Sequence, residues 1–434
     1  MTGLLMSRIG APPGAELEYD YDVERLGYYF ESRAPDALPA PPPWPAPDTS
    51  RFRVAGLGLP DGPERPAVAN VLFADLDGDE KPEVVACDMN HGLVLGGDPR
   101  RPERGLSVLA RVPHPAHATL VDLDGDGARD LLVADLGSIP PGDHENGSVV
   151  WLRRGEDGRY EPRTLVSGLP RVADVQAADL DSDGDLDLVV AAFGWRAVGA
   201  TLTFENTAPP GATPSFARVG EDPRAGSIHV PSADLDGDGQ PDVVVLIAQH
   251  HEVVEAMLNR GEHRFERRTI YRAPHPAWGS SGIALADMDR DGDIDVVLSA
   301  GDMLDDYLLK PWHGLQWLEN RGGFPFEPHP MAALNGVHGA IAADLDGDGD
   351  VDIAASAFVQ RGGSGAEDLV SDLPSLVWLE HLPDGRFERH TLEIGGQHVT
   401  LDAGDYDGDG DTDLVTGSFR TPNETWVEVW RNGE

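Results

Sequence analysis

One acidic pattern recurs seven times along the chain, and it constrains the fold more than any other feature. It appears as Asp75-Leu76-Asp77-Gly78-Asp79, Asp122-Leu123-Asp124-Gly125-Asp126, Asp179-Leu180-Asp181-Ser182-Asp183, Asp234-Leu235-Asp236-Gly237-Asp238, Asp287-Met288-Asp289-Arg290-Asp291, Asp344-Leu345-Asp346-Gly347-Asp348 and Asp405-Tyr406-Asp407-Gly408-Asp409. Each copy is closed four residues later by another acid: Glu83, Asp130, Asp187, Asp242, Asp295, Asp352 and Asp413. Successive copies start 47 to 61 residues apart, which is about the length of one four-stranded propeller blade.

Short apolar runs flank each loop, such as Thr119-Leu120-Val121 before one and Leu188-Val189-Val190-Ala191 after another. Runs this short, β-branched and bounded by Gly-rich turns read as buried strands, with the acidic loop as the hairpin between strands one and two. A third strand often carries Trp (Trp151, Trp317, Trp378, Trp430), and a fourth follows, as in Arg264-Phe265-Glu266-Arg267. The seventh unit ends on its third strand at Trp430, while Ser50-Arg51-Phe52-Arg53-Val54-Ala55 precedes the first unit without belonging to it. The expected fold is all-β, a seven-bladed β-propeller over residues 51–434 whose N-terminal strand closes the last blade and removes an exposed sheet edge. Residues 1–50, rich in Pro, read as an arm or linker.

Calcium takes six to eight hard oxygens at roughly 2.3–2.6 Å, and a tight loop with acids at alternate positions supplies most of them. Positions 1, 3, 5 and 9 carry the acids; the backbone carbonyl of position 7 (Lys81, Ala128, Asp185, Gln240, Asp293, Asp350, Asp411) turns inward with them. Four carboxylates in nine residues repel one another without a cation, so about seven calcium ions are expected per chain. Acidic hairpin turns need no ion when they occur singly, but seven copies with one spacing do not arise from turn chemistry alone. An EF-hand is disfavoured because position 12 is never acidic: Ala86, Val133, Val190, Val245, Leu298, Ala355 and Thr416 stand there.

With these loops the chain resembles the FG-GAP/VCBS repeat family, the propeller type of integrin α-subunit heads and many bacterial surface proteins. The Phe-Gly half of that signature survives mainly at Phe193-Gly194, nearer the bacterial variant, so integrin-like ligand binding is not implied. The resemblance implies a calcium-stabilised propeller serving as a binding or scaffold module.

The chain holds 76 acidic and 33 basic residues, a formal charge of -43. That charge disfavours nucleic acid and anionic lipid as partners, and no apolar run is long enough for membrane insertion. The single Cys87 excludes an internal disulfide and a Cys-based zinc cluster. No secretory signal is visible near Met1. Loops of this kind nevertheless suit the calcium level outside cells, so an extracellular, periplasmic or cell-surface location is expected.

On the face opposite the loops, several blades place a His near the start of strand one: His117, His229, His338 and His398. These four could converge at the axis as metal ligands or proton carriers, although a His at a strand start is more often a hydrogen-bonded rim residue. Asp88, His91, Trp195, His250, His251 and Trp278 fall on the same face and form a candidate pocket for a protein or carbohydrate ligand, with the long loops 135–148, 302–314 and 358–376 around it. The alternative function is a propeller enzyme, a lyase or hydrolase on a sugar derivative with an additional transition metal in the axial pocket; the arrangement faintly resembles the propeller portion of aldos-2-ulose dehydratases. Nucleotide-binding, zinc-protease and serine-hydrolase motifs do not occur in the sequence.

Overall fold

Seven antiparallel sheets follow one another along the chain, each hydrogen-bonded in the order of its strands. The computed structural model describes residues 42–434 apart from 210, 305–308, 360–371, 420–424 and 434. Blades one to six span residues 68–111, 115–169, 172–222, 227–272, 280–333 and 337–394, and blade seven combines 398–432 with the early strand Phe52–Leu57. The first strands of neighbouring blades pack on one another and so surround the axis. Among the described residues the helical content is a single 3-10 turn, Pro102–Arg104.

Ring closure follows the expectation from sequence. Phe52–Leu57 pairs antiparallel with Val427–Asn432, Phe52 opposite Asn432 and Leu57 opposite Val427. The Pro-rich segment before it follows the outer strands of blades five and six: Trp44 Nε1 donates to the Ala333 carbonyl (2.9 Å) and the Asp48 N–H to that of Thr391 (2.9 Å). The rest of the expected arm, residues 1–41, lies outside the described residues, as do parts of the long loops 302–314 and 358–376.

The apolar runs that follow the loops are the second strands, and those that precede them end the first strands. Asp130–Asp135, Asp187–Ala192 and Asp242–Ile247 are buried at every position, because each sheet is covered on both faces by its neighbours. Outer strands such as Tyr160–Leu169 are mostly solvated on one side. Seven apolar clusters fill the seven gaps between adjacent blades. In the gap between blades two and three, Trp151 packs with Leu188 and Leu202, and each such fully buried aliphatic side chain contributes about 1.5–3 kcal/mol.

The inner strand of every blade breaks register near its start, at Val68/Asn70, Pro115/His117, Val172/Asp174, Ser227/His229, Ser280/Gly282, Val337/Gly339 and His398/Leu401. Asn70, His117, Asp174 and His229 thus take the same place, directly after the irregularity. His338 sits within it and His398 before it. Since strand side chains alternate between faces, one residue of offset is enough to send the later two histidines elsewhere.

Candidate metal loops and the opposite cleft

All seven acidic hairpins lie at the same end of the ring, between the first and second strands. Positions 4 and 6 are left-handed in every loop. Gly occupies most of them, but Glu80 (φ 63°), Ser182 (φ 66°) and Arg290 (φ 62°) adopt the same conformation, which points to a wrap imposed by the loop as a whole rather than by glycine alone.

That wrap gathers the acids. Asp75 Oδ1 accepts the N–H groups of Gly78 (2.8 Å) and Asp79 (3.0 Å), and its Oδ2 accepts Glu80 N–H (3.1 Å). The same pattern recurs around Asp234 and Asp405. The Asp75, Asp77 and Glu83 carboxylates bring one oxygen each within 4.8 Å of the others, as do Asp122, Asp124 and Asp126. Asp122 Oδ1, Asp124 Oδ1 and Asp407 Oδ1 are buried without a hydrogen-bond partner. Convergent carboxylate oxygens, some of them buried and unpartnered, suit a hard divalent cation.

The position-9 acid has a second task. Asp413 Oδ2 accepts the N–H of Tyr406 at position 2 (3.3 Å), and Oδ1 that of Asn432 at the end of strand three (2.7 Å). Asp187, Asp242, Asp295 and Asp352 each repeat this bridge. Burial pushes Asp187, Asp295 and Asp352 up to about 6 and Asp413 up to about 7, against the opposing pull of these N–H donors. Burial likewise raises Glu83, Asp130 and Asp242.

Arginines sit against several loops: Arg153 on Asp124 (2.7 Å) and Asp126 (2.5 Å), Arg260 on Asp236 (2.8 Å), Arg431 on Asp407 (2.5 Å) and Asp409 (2.9 Å), and Arg290 on Asp350 of the next blade (2.6 Å). The position-7 residues Lys81, Ala128, Asp185, Gln240, Asp293, Asp350 and Asp411 stand inside the same wraps; in all seven, the N–H is held by the position-5 carboxylate two residues earlier at 2.8–3.1 Å.

Asn side chains that sequence reasoning passed over tie three of the loops to the neighbouring blade. Nδ2 of Asn259 donates to the carbonyl of Leu180 in the preceding blade (2.9 Å), that of Asn320 to Leu235 (3.4 Å) and that of Asn432 to Leu345 (2.7 Å). The signal was present: an Asn follows strand three at 206, 259, 320 and 432.

At the other end, the four candidate histidines do not share one site. His117 Nδ1 lies 3.0 Å from Asp174 Oδ1 and His229 Nδ1 3.8 Å from Asp174 Oδ2. Asp174 is 1% exposed; burial opposes its charge, but His117 and His229 outweigh it and hold the carboxyl well below its usual range. Burial also opposes a charged His117, and Asp174 again prevails and raises it. His338 instead stacks on Phe358 at 5.9 Å, and burial lowers its pKa. His398 Nε2 meets Glu393 Oε2 at 2.9 Å, and its Nδ1 faces the Gly417 carbonyl at 3.1 Å.

The pocket residues also divide. A cleft of about 690 Å³ runs off the axis across blades two to five, lined by Trp195 and His250 together with Arg171, Phe193, Glu252 and Asp302. His251 neighbours His250 at 5.9 Å between ring centres but does not line the cleft, and burial lowers its pKa. Trp278 is buried beside it, stacked on Trp312 at 6.0 Å. Asp88 and His91 belong to blade one, apart from this cleft. Asp88 Oδ1 accepts Ala67 N–H (2.5 Å) and Oδ2 faces His91 Nδ1 (2.8 Å), an arrangement that secures a blade junction.

Residues 122–190 and 234–298 match the FG-GAP-like repeat. No curated protein sequence matches the chain. Among solved structures, a crystal of BBS1N in complex with ARL6DN, soaked with mercury, is similar at 12% identity over 88% of this chain and 94% of that one, with a TM-score of 0.50. The lead-soaked crystal of the same complex gives 12% identity over 88% and 97%, with a TM-score of 0.49. At such identity the likeness concerns the fold alone.

Proposed function

We propose that this seven-bladed propeller, two stretches of which match the FG-GAP-like repeat, holds about seven calcium ions in its acidic hairpins and that they stabilise a binding or scaffold module. The observation that carries this reading is the set of convergent loop carboxylates with buried, unpartnered oxygens. The module acts outside the cytosol, where calcium is abundant enough to fill loops of this class, and takes a protein or carbohydrate ligand in the cleft beside Trp195 and His250. Among the described residues no helix is long and apolar enough to cross a membrane. A charge of -43 argues against nucleic acid as the partner.

Calcium titration by calorimetry, combined with metal analysis of the dialysed protein, tests the reading. Several equivalents of calcium per chain are expected; a chain that binds none, with the same melting curve in excess EDTA and in calcium, would remove its basis.

One observation favours the second, enzymatic reading: His117 and His229 face a single buried carboxylate, Asp174. Two imidazoles and one carboxylate suit a transition metal. A non-calcium metal retained by the protein and lost from His117→Ala/His229→Ala would support that reading over a pure scaffold.

A further inference from the structure

Blade three's loop differs from its siblings in what faces it. It carries five acids, Asp179, Asp181, Asp183, Asp185 and Asp187, and Asp185 Oδ1 is buried without a hydrogen-bond partner. Where blades two and seven place Arg153 and Arg431 at the end of strand three, blade three places Glu205, another anion whose charge acts on Asp185. Among the described residues no arginine pairs with this loop.

What reaches it instead is His263, from the turn between strands three and four of blade four. The side chain is 10% exposed, with Nε2 at 3.3 Å from Asp181 Oδ2 and 3.9 Å from Asp187 Oδ2. Neither ring nitrogen makes a hydrogen bond. A buried imidazole aimed at two carboxylates, close to them yet not aligned to donate, has the disposition of a ligand waiting on a common ion. His263 stands at φ 55° beside Glu262 at φ 54°, as the tight hairpin turn closed by Arg264 N–H on the Gly261 carbonyl requires.

Two other mixed clusters lack this character. His329 Nε2 already faces Glu319 Oε2 at 2.7 Å, and His398 Nε2 faces Glu393 Oε2 at 2.9 Å, so both rings have a hydrogen-bond partner.

We propose that Asp181, Asp187 and His263 form a mixed oxygen and nitrogen site that takes zinc in place of that loop's calcium, whereas the six all-oxygen loops take calcium. Calcium has little use for an imidazole, while zinc binds His nitrogen and carboxylate oxygen together at roughly 2.0–2.2 Å. The inference rests on the reading of the hairpins as cation sites, but it fails separately.

The test loads the full chain with zinc in the presence of excess calcium, removes free metal and counts both ions. One zinc per chain is expected in the native protein and in His329→Gln. His263→Asn, chosen because Asn tolerates a left-handed backbone, should weaken zinc binding at least tenfold and leave the six other loops filled, so that the calcium count does not fall. Zinc that fails to bind, or binds His263→Asn equally well, overturns the proposal; loss of calcium binding with zinc retained would overturn the calcium reading instead. Should the variant not fold, zinc-edge X-ray absorption of the native protein decides: scattering from a coordinated imidazole is expected, and an all-oxygen shell refutes the site.

Discussion

Asn432 donates through Nδ2 to the carbonyl of Leu345, 2.7 Å away and 87 residues earlier in the chain. The bond joins the last strand of blade seven to the second position of blade six's acidic loop. The same side chain also reaches the Thr412 carbonyl (3.0 Å), so one amide fastens two hairpins.

Replacing Asn432 by Ala strands these buried carbonyls without a donor. The expected loss is about 1–3 kcal/mol, read from the shift of the urea midpoint. Asn432→Asp should cost more, since it turns an acceptor and a negative charge toward two carbonyls.

Acidification should stabilise the metal-free protein. Burial holds Asp187, Asp295, Asp352 and Asp413 at about 6 to 7 in the folded state, whereas an unfolded Asp titrates near roughly 3.9. Between these values the folded state binds more protons than the unfolded one, so stability is present below the lower value and drains away as pH rises through the upper one. The raised His117 adds a change of the same sign. In EDTA, the melting temperature is expected to be higher at about pH 5.5 than at about pH 8. In saturating calcium the order reverses, because protons compete with the ion for the same carboxylates. Parallel pH profiles with and without calcium would contradict this account.

Phe52 anchors the closing strand. It is 4% exposed and packs in one cluster with Leu345, Trp378 and Trp430, so Phe52→Ala is expected to cost about 3–5 kcal/mol. Hydrogen exchange should show blade seven opening first. An unchanged exchange rate at Val427–Asn432 would mean that the latch is not what secures that sheet.

Ser182 offers a substitution of opposite sign. It is exposed at φ 66° where five of the loops carry Gly. Ser182→Gly removes a left-handed penalty of about 1–2 kcal/mol at an entropic cost of about 0.5–1 kcal/mol, so a net gain of about 0.5–1 kcal/mol is expected, measurable as a higher melting temperature.

The ring was legible in the sequence because its signals are local. Each blade announces itself by the spacing Asp122 to Asp130 and its relatives, and the orphan strand around Phe52 has one place to go. What escaped sequence reasoning depends on neighbours: the reach of Asn432 to Leu345 and of His263 into blade three connects residues 87 and about 80 positions apart. The histidines at 117, 229, 338 and 398 looked equivalent by distance from their loops. They are not, because a register break at each strand start fixes which face a side chain meets, and no residue type marks where that break falls.

The pairing of Phe52 with Asn432 means that the strand Phe52–Leu57, made before any of the six other blades, must wait for Val427–Asn432, made after them all. Until then the outer strand of blade seven has no partner, and a chain halted before Val427 leaves both Phe52–Leu57 and Asp413–Ser418 with an unmatched edge. The ring thus closes only when the chain's two ends meet, and an interrupted molecule differs from a finished one by that open sheet edge.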